Sequence, residues 1–436
     1  MTAVLAGALI GLGFLPCLWL LTLIGLYLIY PTISSLSVKS ILYSTLAGVF
    51  YMASAQCWMF VAKHGDRFWH ACWLSLVIGL FWAVLPICFY LFRRIKLLAF
   101  SFSFAILELS YRYIWKYVDE LGWSTYNLGT SIDEMPILFQ MADIGGAILI
   151  TMLLCLAISL FYHKKYYLLA SLVLVITIYG GIRMNGRFEP SEPITLVSRH
   201  EIENINDIKT SSILLTSEGL GLPEMNFDDS KLVALGHYRY EGERRYYPDI
   251  NRHRHDRKYN SVLLQTAKDK KIYDKINCVP WSEFEPYNPL LSRYDRGKNC
   301  VAINHNGINY SSLICYDVAF PQTAQKCCKV GADVILVSST ESHGFKGFLA
   351  AALLANTKFR AVETRLPIVR NISGGYSGLV DSRGVYVSKL PLYLNETHIT
   401  ESVPIDKRIS WYSIWGDWFV VCIVALGFLI GKRIKD

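Results

Sequence analysis

The sequence predicts a polytopic α-helical membrane protein with one extracytoplasmic α/β domain inserted in it, and three observations carry that expectation. Hydrophobic residues make up 53% of the 436-residue chain and charged residues only 18%, against about 25% charged in soluble domains; mean hydropathy is +0.30. Apolar segments recur near 4–30, 40–62, 68–92, 97–114, 137–162, 166–182 and 414–431, most reaching the roughly 20 residues that a spanning helix requires. Between 183 and 410 no such segment occurs. The expected organisation is therefore membrane helices over 1–182, a polar domain over 183–410, and a last helix with a short tail over 411–436.

The first apolar segment lacks a basic leading region and a small-residue cleavage site, unlike a signal peptide, and Pro16 inside it predicts two short helices. Orientation follows from the basic residues of short loops: Arg93, Arg94 and Lys96; Lys164 and Lys165; Lys432, Arg433 and Lys435. One count of crossings puts all three clusters on the cytoplasmic face. The polar domain then faces outward, as does the acidic loop with Asp119, Glu120, Asp133 and Glu134; a bacterial inner membrane with the domain in the periplasm fits this pattern. The formal charge of +8 comes from residues scattered or placed at the ends of apolar segments. Without a basic stripe, nucleic acid is not an expected partner, whereas membrane lipids are.

Within the polar domain, "SSILLTSE" reads as a short buried strand, and "CVAINHNGINYSSLICYD" as two strands joined at the Asn306-Gly307 turn. "FPQTAQKCCKV" is a helix closed by Gly331, "ADVILVSS" a buried strand, "FKGFLAAALLANTKFRAVETR" a helix, and "LPIVRNIS" a strand ahead of Gly374-Gly375. The alternation predicts α/β architecture. Five cysteines fall here, Cys278, Cys300, Cys315, Cys327 and Cys328. The number is odd, so an oxidising compartment leaves at least one thiol free, and no spacing matches a metal site.

Cys315 stands out among them. The stretch "SSLICYDVAFP" sets it where a strand stops and the chain turns toward a helix, a place where helix N-terminal amides lower a thiol's pKa. A buried apolar cysteine is the competing interpretation, and this stretch alone leaves the two even. Two further stretches weigh on the choice: "ILLTSEGLGLPE", with Glu218 just after a strand, and "YDKINCVPWSEFEP", with Lys275 eight positions before Glu283.

Glu218, Lys275 and Cys315 occur in the order and contexts of the Glu-Lys-Cys triad of the nitrilase (carbon-nitrogen hydrolase) superfamily, and more narrowly the chain resembles the apolipoprotein N-acyltransferase family. That family's lysine motif runs Tyr-Asp-Lys-x-x-Leu-Val-Pro-Phe-Gly-Glu-x-x-Pro; Tyr273, Asp274, Lys275, Val279, Pro280, Glu283 and Pro286 fall in register with it. Its cysteine motif, Cys-Tyr-Glu-x-x-Phe-Pro, is matched by Cys315, Tyr316, Asp317, Phe320 and Pro321, with aspartate for glutamate. The "WYSIWGDW" stretch resembles the family's return to the membrane. The sequence departs from the pattern in a shorter 193–218 region, in Ser217-Glu218 where Pro-Glu is usual, and in "SSTESHGF" where Asn-Asp-x-Trp-Phe is usual. Glu224, which does follow a proline, is the reserve candidate for the base.

The resemblance implies an α-β-β-α sandwich domain. It also implies transfer of a fatty acyl chain from a phospholipid donor to the N-terminal amine of a lipid-modified cysteine on a lipoprotein acceptor. Acyl transfer through a thiol needs a nucleophile, a base and an oxyanion stabiliser: Cys315, Glu218 and Lys275 supply them, and no cofactor or metal is required. Glu283 is expected to orient Lys275; Tyr316 and Asp317 either shape the site or cap the next helix. Trp123, Trp281 and Trp411 read as an interfacial belt. The alternatives are a membrane nitrilase-like protein with another acyl or amide substrate, such as those encoded with plasmid conjugation systems, and a catalytically silent scaffold.

Overall fold

A computed structural model of the chain describes residues 1–60, 65–117, 125–186, 188–197, 212–219, 231–247, 252–280, 282–285, 289–341, 348–388, 390, 397–400 and 402–434. Glu224, Trp123 and Trp281 lie outside these residues.

The N-terminal part is helical: α1 (Thr2–Leu12), α2 (Trp19–Ile33), α3 (Val38–Ala55), α4 (Cys57–Phe60), α5 (Gly65–Trp82), α6 (Val84–Leu91), α7 (Lys96–Tyr117), α8 (Ala142–Tyr162) and α9 (Tyr166–Met184). The first apolar segment splits into α1 and α2, with the break running through Pro16. The segments Phe68–Leu91, Ala142–Tyr162 and Tyr166–Met184 are each long and apolar enough to cross a membrane. Interior contacts are built from close approach: a Cβ on Gly7 would lie 2.0 Å from the Ala47 carbonyl oxygen, so α1 and α3 pack backbone to backbone as small residues permit in lipid. The expected 137–162 segment starts later than its apolarity predicts. Gly145 and Gly146 are non-helical, with φ of −134° and +68°, and the break leaves the Ala147 N–H free to donate to Glu363 Oε1 at 2.9 Å.

The polar domain holds two large sheets and a separate antiparallel pair of two-residue strands, the first and last given below. Strands β1 (Glu189–Pro190), β2 (Ile194–Leu196), β3 (Ile213–Leu215), β4 (Leu232–Tyr247), β5 (Arg252–Gln265), β6 (Lys270–Asp274), β7 (Ala302–His305) and β8 (Ile308–Ile314) are followed by α10 (Pro321–Lys329), β9 (Val334–Thr340), α11 (Phe348–Thr364), β10 (Ile368–Ser373), β11 (Gly378–Val380), β12 (His398–Ile399) and β13 (Pro404–Ile405). One sheet has the order β12-β2-β3-β4-β5-β6 and the other β11-β10-β9-β8-β7. In each, three parallel strands form the centre, β2-β3-β4 and β8-β9-β10, and antiparallel strands the edges.

The sheets face each other across one core that joins Ile213, Leu215 and Leu232 to Leu313, Val337 and Ile372. Polar links cross it too: Ser338 Oγ donates to the Thr216 carbonyl at 2.7 Å, and Asn371 Nδ2 to the Val197 and Leu215 carbonyls at 2.9 and 2.6 Å. The crossover helices α10 and α11 provide an outer layer, while the connections β2 to β3 and β3 to β4 fall largely outside the described residues. The expected elements from β7 to β10 appear in place, with Asn306 (φ +50°) and Gly307 (φ +83°) making the tight turn and Gly331 (φ +79°) ending α10. The long β4–β5 hairpin is an element that the sequence reading did not assign.

After the domain come α12 (Trp411–Trp415) and α13 (Trp418–Arg433). Trp411 is 58% exposed. An ionic seam joins domain to helices: Asp143 of α8 pairs with Arg365 at 2.5 Å and with Arg183 of α9 at 2.7 Å, while Arg112 of α7 pairs with Asp417. Helix α11 lies between sheet and bundle, with Phe359 and Val362 packed among Phe139, Ala147 and Ile150. The basic clusters sit at the other end, where Phe92 packs on Phe428 beside Lys432, and Tyr30 hydrogen-bonds His163 beside Lys164.

Candidate active site

The parallel strands of both sheets end at the site. Strand β8 runs extended to Ile314 (φ −122°, ψ 119°), and the next residue, Cys315, has φ +47° before a 3-10 turn over Cys315–Ala319. A side chain in this left-handed region costs about 1–2 kcal/mol and persists where the surroundings over-determine it. Here the strand and the turn fix both flanks and hold the thiol at an elbow, partly exposed. A 3-10 turn separates the cysteine from α10, which starts at Pro321 where the sequence places that helix.

Lys275 follows β6 and is fully buried. Its Nζ lies 2.8 Å from Glu283 Oε1 and 3.8 Å from Glu218 Oε1. Burial alone pushes the ammonium pKa down, but the facing carboxylates Glu283 and Glu218 outweigh that and hold it well above the usual lysine range. Glu283 is pinned in turn, its Oε2 accepting the Val279 N–H at 2.8 Å inside the Pro280 loop. Glu218, just after β3, receives Asn260 Nδ2 on Oε1 and the Thr340 N–H on Oε2 at 2.9 Å. Burial raises its carboxyl, with Lys275 opposing and Glu283 adding to the shift. The structure thus brings Glu218, Lys275, Glu283 and Cys315 together: the charges of Lys275, Glu218 and Glu283 all act on the thiol.

The electrostatics run against the expected lowering of this thiol's pKa. Burial pushes the Cys315 thiol up, Lys275 opposes it, and Glu218 and Glu283 push the same way, so the net shift favours the protonated form.

Asp317 and Tyr316 take separate roles in the geometry. Asp317, fully buried, accepts Tyr273 OH on Oδ2 at 2.7 Å, Asn277 N and Nδ2 on Oδ1 at 2.8 Å each, and Ile314 N at 3.2 Å. It ties the lysine segment to the elbow and does not cap α10. Tyr316 lies beside Thr125 of the segment that joins α7 to α8. Asn260 was not anticipated: it holds Glu218 by its side chain and the Lys275 N–H by its carbonyl at 2.9 Å. A polar residue between the apolar positions of β5 was its one signal. Near the junction of helices and domain, a cavity of about 510 Å³ is lined by Phe14 and Pro16 of the α1–α2 turn, Glu134, Lys358, Tyr376 and Tyr386. Among the described residues no cluster of His, Cys, Asp and Glu could hold a metal ion.

The fold and site define a protein that joins apolar helices to an α/β domain built on two large facing sheets. The family described as Apolipoprotein N-acyltransferase N-terminal domain matches residues 6–160. Apolipoprotein N-acyltransferase 2 of Treponema denticola is 28% identical over 206 residues, covering 41% of this chain and 38% of the relative; the Thermotoga maritima apolipoprotein N-acyltransferase is 31% identical over 183 residues, covering 38% and 35%. The chain thus spans well under half the length of these curated relatives. Among solved structures, an amidase from Nesterenkonia sp. is similar at a TM-score of 0.36 and 16% identity, covering 52% of this chain and 94% of that one. Over these segments the chain is similar to the apolipoprotein N-acyltransferases.

Proposed function

We propose that the protein is an N-acyltransferase that moves a fatty acyl chain from a phospholipid to the N-terminal amine of an S-diacylglyceryl-cysteine lipoprotein, through a thioester on Cys315. The observation that carries this reading is Lys275, locked between Glu218 and Glu283 and facing a cysteine held at φ +47°. Glu218 removes the thiol proton as sulfur attacks the phospholipid ester, since the net shift favours the protonated thiol. Lys275 stabilises the tetrahedral oxyanion, and Glu218 returns the proton to the departing lysophospholipid. An amine then attacks the thioester. A membrane-borne donor fits the placement of Tyr316, next to the nucleophile, beside Thr125 of the segment that joins α7 to α8. No residue of this scheme calls for a cofactor.

The test is trapping. Incubated with phospholipid and no acceptor, the purified protein is expected to gain the mass of one acyl chain on Cys315, removable by hydroxylamine, and Cys315→Ser to lose turnover. An adduct on another cysteine, or a fully active Cys315→Ser, overturns the scheme; absence of any adduct favours a silent scaffold.

A further inference from the structure

Four carboxyls surround the thiol, and all but one have both oxygens engaged. Glu218, Glu283 and Asp317 are saturated by the partners described above. Glu341, one residue beyond β9, is different. Its Oε1 accepts Arg370 Nη2 at 3.0 Å and Ser339 Oγ at 3.3 Å, but its buried Oε2 has no hydrogen-bond partner among the described residues. The residue is 3% exposed, and an unfilled buried carboxylate oxygen costs free energy unless a ligand completes it.

Backbone contacts fix where this oxygen sits. The Glu341 N–H donates to the Ser373 carbonyl at 2.8 Å, and the preceding residue, Thr340, holds Glu218 through its N–H and its hydroxyl. A Cβ on Gly375 would lie 2.3 Å from Oε2, so only glycine leaves that space open. The carboxylate's charge is felt at Cys315 and is coupled to Glu218. Around the thiol, Glu218, Glu283, Asp317 and Glu341 outnumber the cations Lys275 and Arg370. The site has an excess of negative charge, and of its two buried acceptor atoms left without a partner among the described residues, Asn260 Oδ1 and Glu341 Oε2, only the second belongs to a carboxylate.

We propose that Glu341 binds the acceptor's ammonium group through Oε2 and takes its first proton, making it the acid–base residue of the second half-reaction. The inference rests on the acyltransferase reading above. The ammonium gives one proton to the Glu341 carboxylate. The freed nitrogen lone pair forms the C–N bond at the thioester carbon, and the carbonyl electrons move to the oxygen facing Lys275. Collapse breaks the C–S bond; the second amine proton passes to Glu218 and then to the Cys315 sulfur. Amide and thiol are the products, and Glu341 releases its proton to solvent. Burial, against the opposing Arg370 of β10 and Ser339, and with Glu218 adding, holds Glu341 up to about 7, which suits a group that must accept and release a proton near neutrality.

The experiment uses the full-length protein in phospholipid micelles and measures the two half-reactions separately. Glu341→Gln keeps an oxygen for Arg370 and Ser339. Its expected behaviour is acyl loading of Cys315 within about threefold of wild type by intact mass, and discharge to a diacylglyceryl-cysteine peptide slowed about 10²-fold. Discharge to hydroxylamine, a neutral nucleophile at pH 7, should stay near wild type, and raising the pH to 9 should narrow the deficit with the peptide. Glu341→Asp should recover part of the rate. Loading and discharge falling together in both variants would make Glu341 a support for Glu218 and overturn the proposal, as would undiminished discharge in Glu341→Gln. A wild-type protein that never loads refutes instead the acyltransferase reading, and this inference with it.

Discussion

At the scale of residues, the site is a balance of buried charges whose removal has separable effects. Lys275 is enclosed by two carboxylates at 2.8 and 3.8 Å. Lys275→Met therefore removes the oxyanion stabiliser and leaves those carboxylates unpaired, a change worth on the order of 3–5 kcal/mol. A clearly lowered melting temperature in detergent is expected, together with a rate loss of at least about 10²-fold. Glu218→Gln keeps an acceptor for Asn260 and relieves a buried charge, so it should lose the rate and keep the melting temperature; loss of both in equal measure would show that Glu218 is structural. The pH dependence follows from signs. Glu218 must be ionised to act as base, and its carboxyl is raised by burial and by Glu283, so thioester formation should fall on acidification with a midpoint above the ordinary glutamate value of about 4.3. Glu283→Gln removes one of the raising charges and should move that limb to lower pH. Glu218, Lys275, Glu283 and Cys315 were legible because a motif fixes their spacing. Asn260, Thr340 and Glu341 were not: each reaches the site by the register between strands, and Glu341 sits in the stretch that departs from the family pattern.

At the scale of elements, the parallel strands and crossover helices from β7 to β10 were legible because short apolar runs alternate with amphipathic segments between glycines. The β4–β5 hairpin was not, since "HYRYEGERRYY" carries charge at alternate positions of a ribbon whose register shifts between Glu241 and Arg244, and that pattern reads as polar loop. The cysteine elbow was half legible: the strand end and the helix that opens at Pro321 are where the sequence puts them, but the 3-10 turn over Cys315–Ala319 between them was not assigned. The break inside α8 depends on one residue. Gly146 has φ +68°, and a Cβ there would lie 2.5 Å from the Tyr412 ring. Gly146→Ala should cost about 1–3 kcal/mol and detach Ala147 from Glu363, read as lower thermal stability and faster proteolysis at the α11–α12 junction. A variant as stable as wild type would mean that the turn relaxes into regular helix without loss. Asp317→Asn probes the other tether. An amide cannot accept from Tyr273, Asn277 and Ile314 at once, so both stability and loading should fall.

At the scale of the whole molecule, one helix shows what solvent the protein needs. Leu174, Val175, Ile178 and Ile182 of α9 are each more than half exposed, a face that a lipid phase accepts and water penalises. The three basic clusters gather at the end of the bundle away from the domain, as the contacts of Phe92 with Phe428 and of Tyr30 with His163 require. Arg112, Asp143, Arg183 and Asp417 meet the domain at the other. Charge at the far end of the helices sets orientation, because Lys and Arg are retained on the cytoplasmic side. The expected topology is therefore cytoplasmic clusters at 93–96, 164–165 and 432–435 with the α/β domain outside, the side on which the proposed reaction requires its acceptor. Alkaline phosphatase, which folds only after export, decides this. Inserted at the exposed Asn306-Gly307 turn it should be active, and fused after Asp436 inactive. Lys432→Asp combined with Arg433→Asp should weaken that contrast, since the last helix would lose its retaining charge. The reverse activities would place the domain in the cytoplasm and remove its access to an exported acceptor.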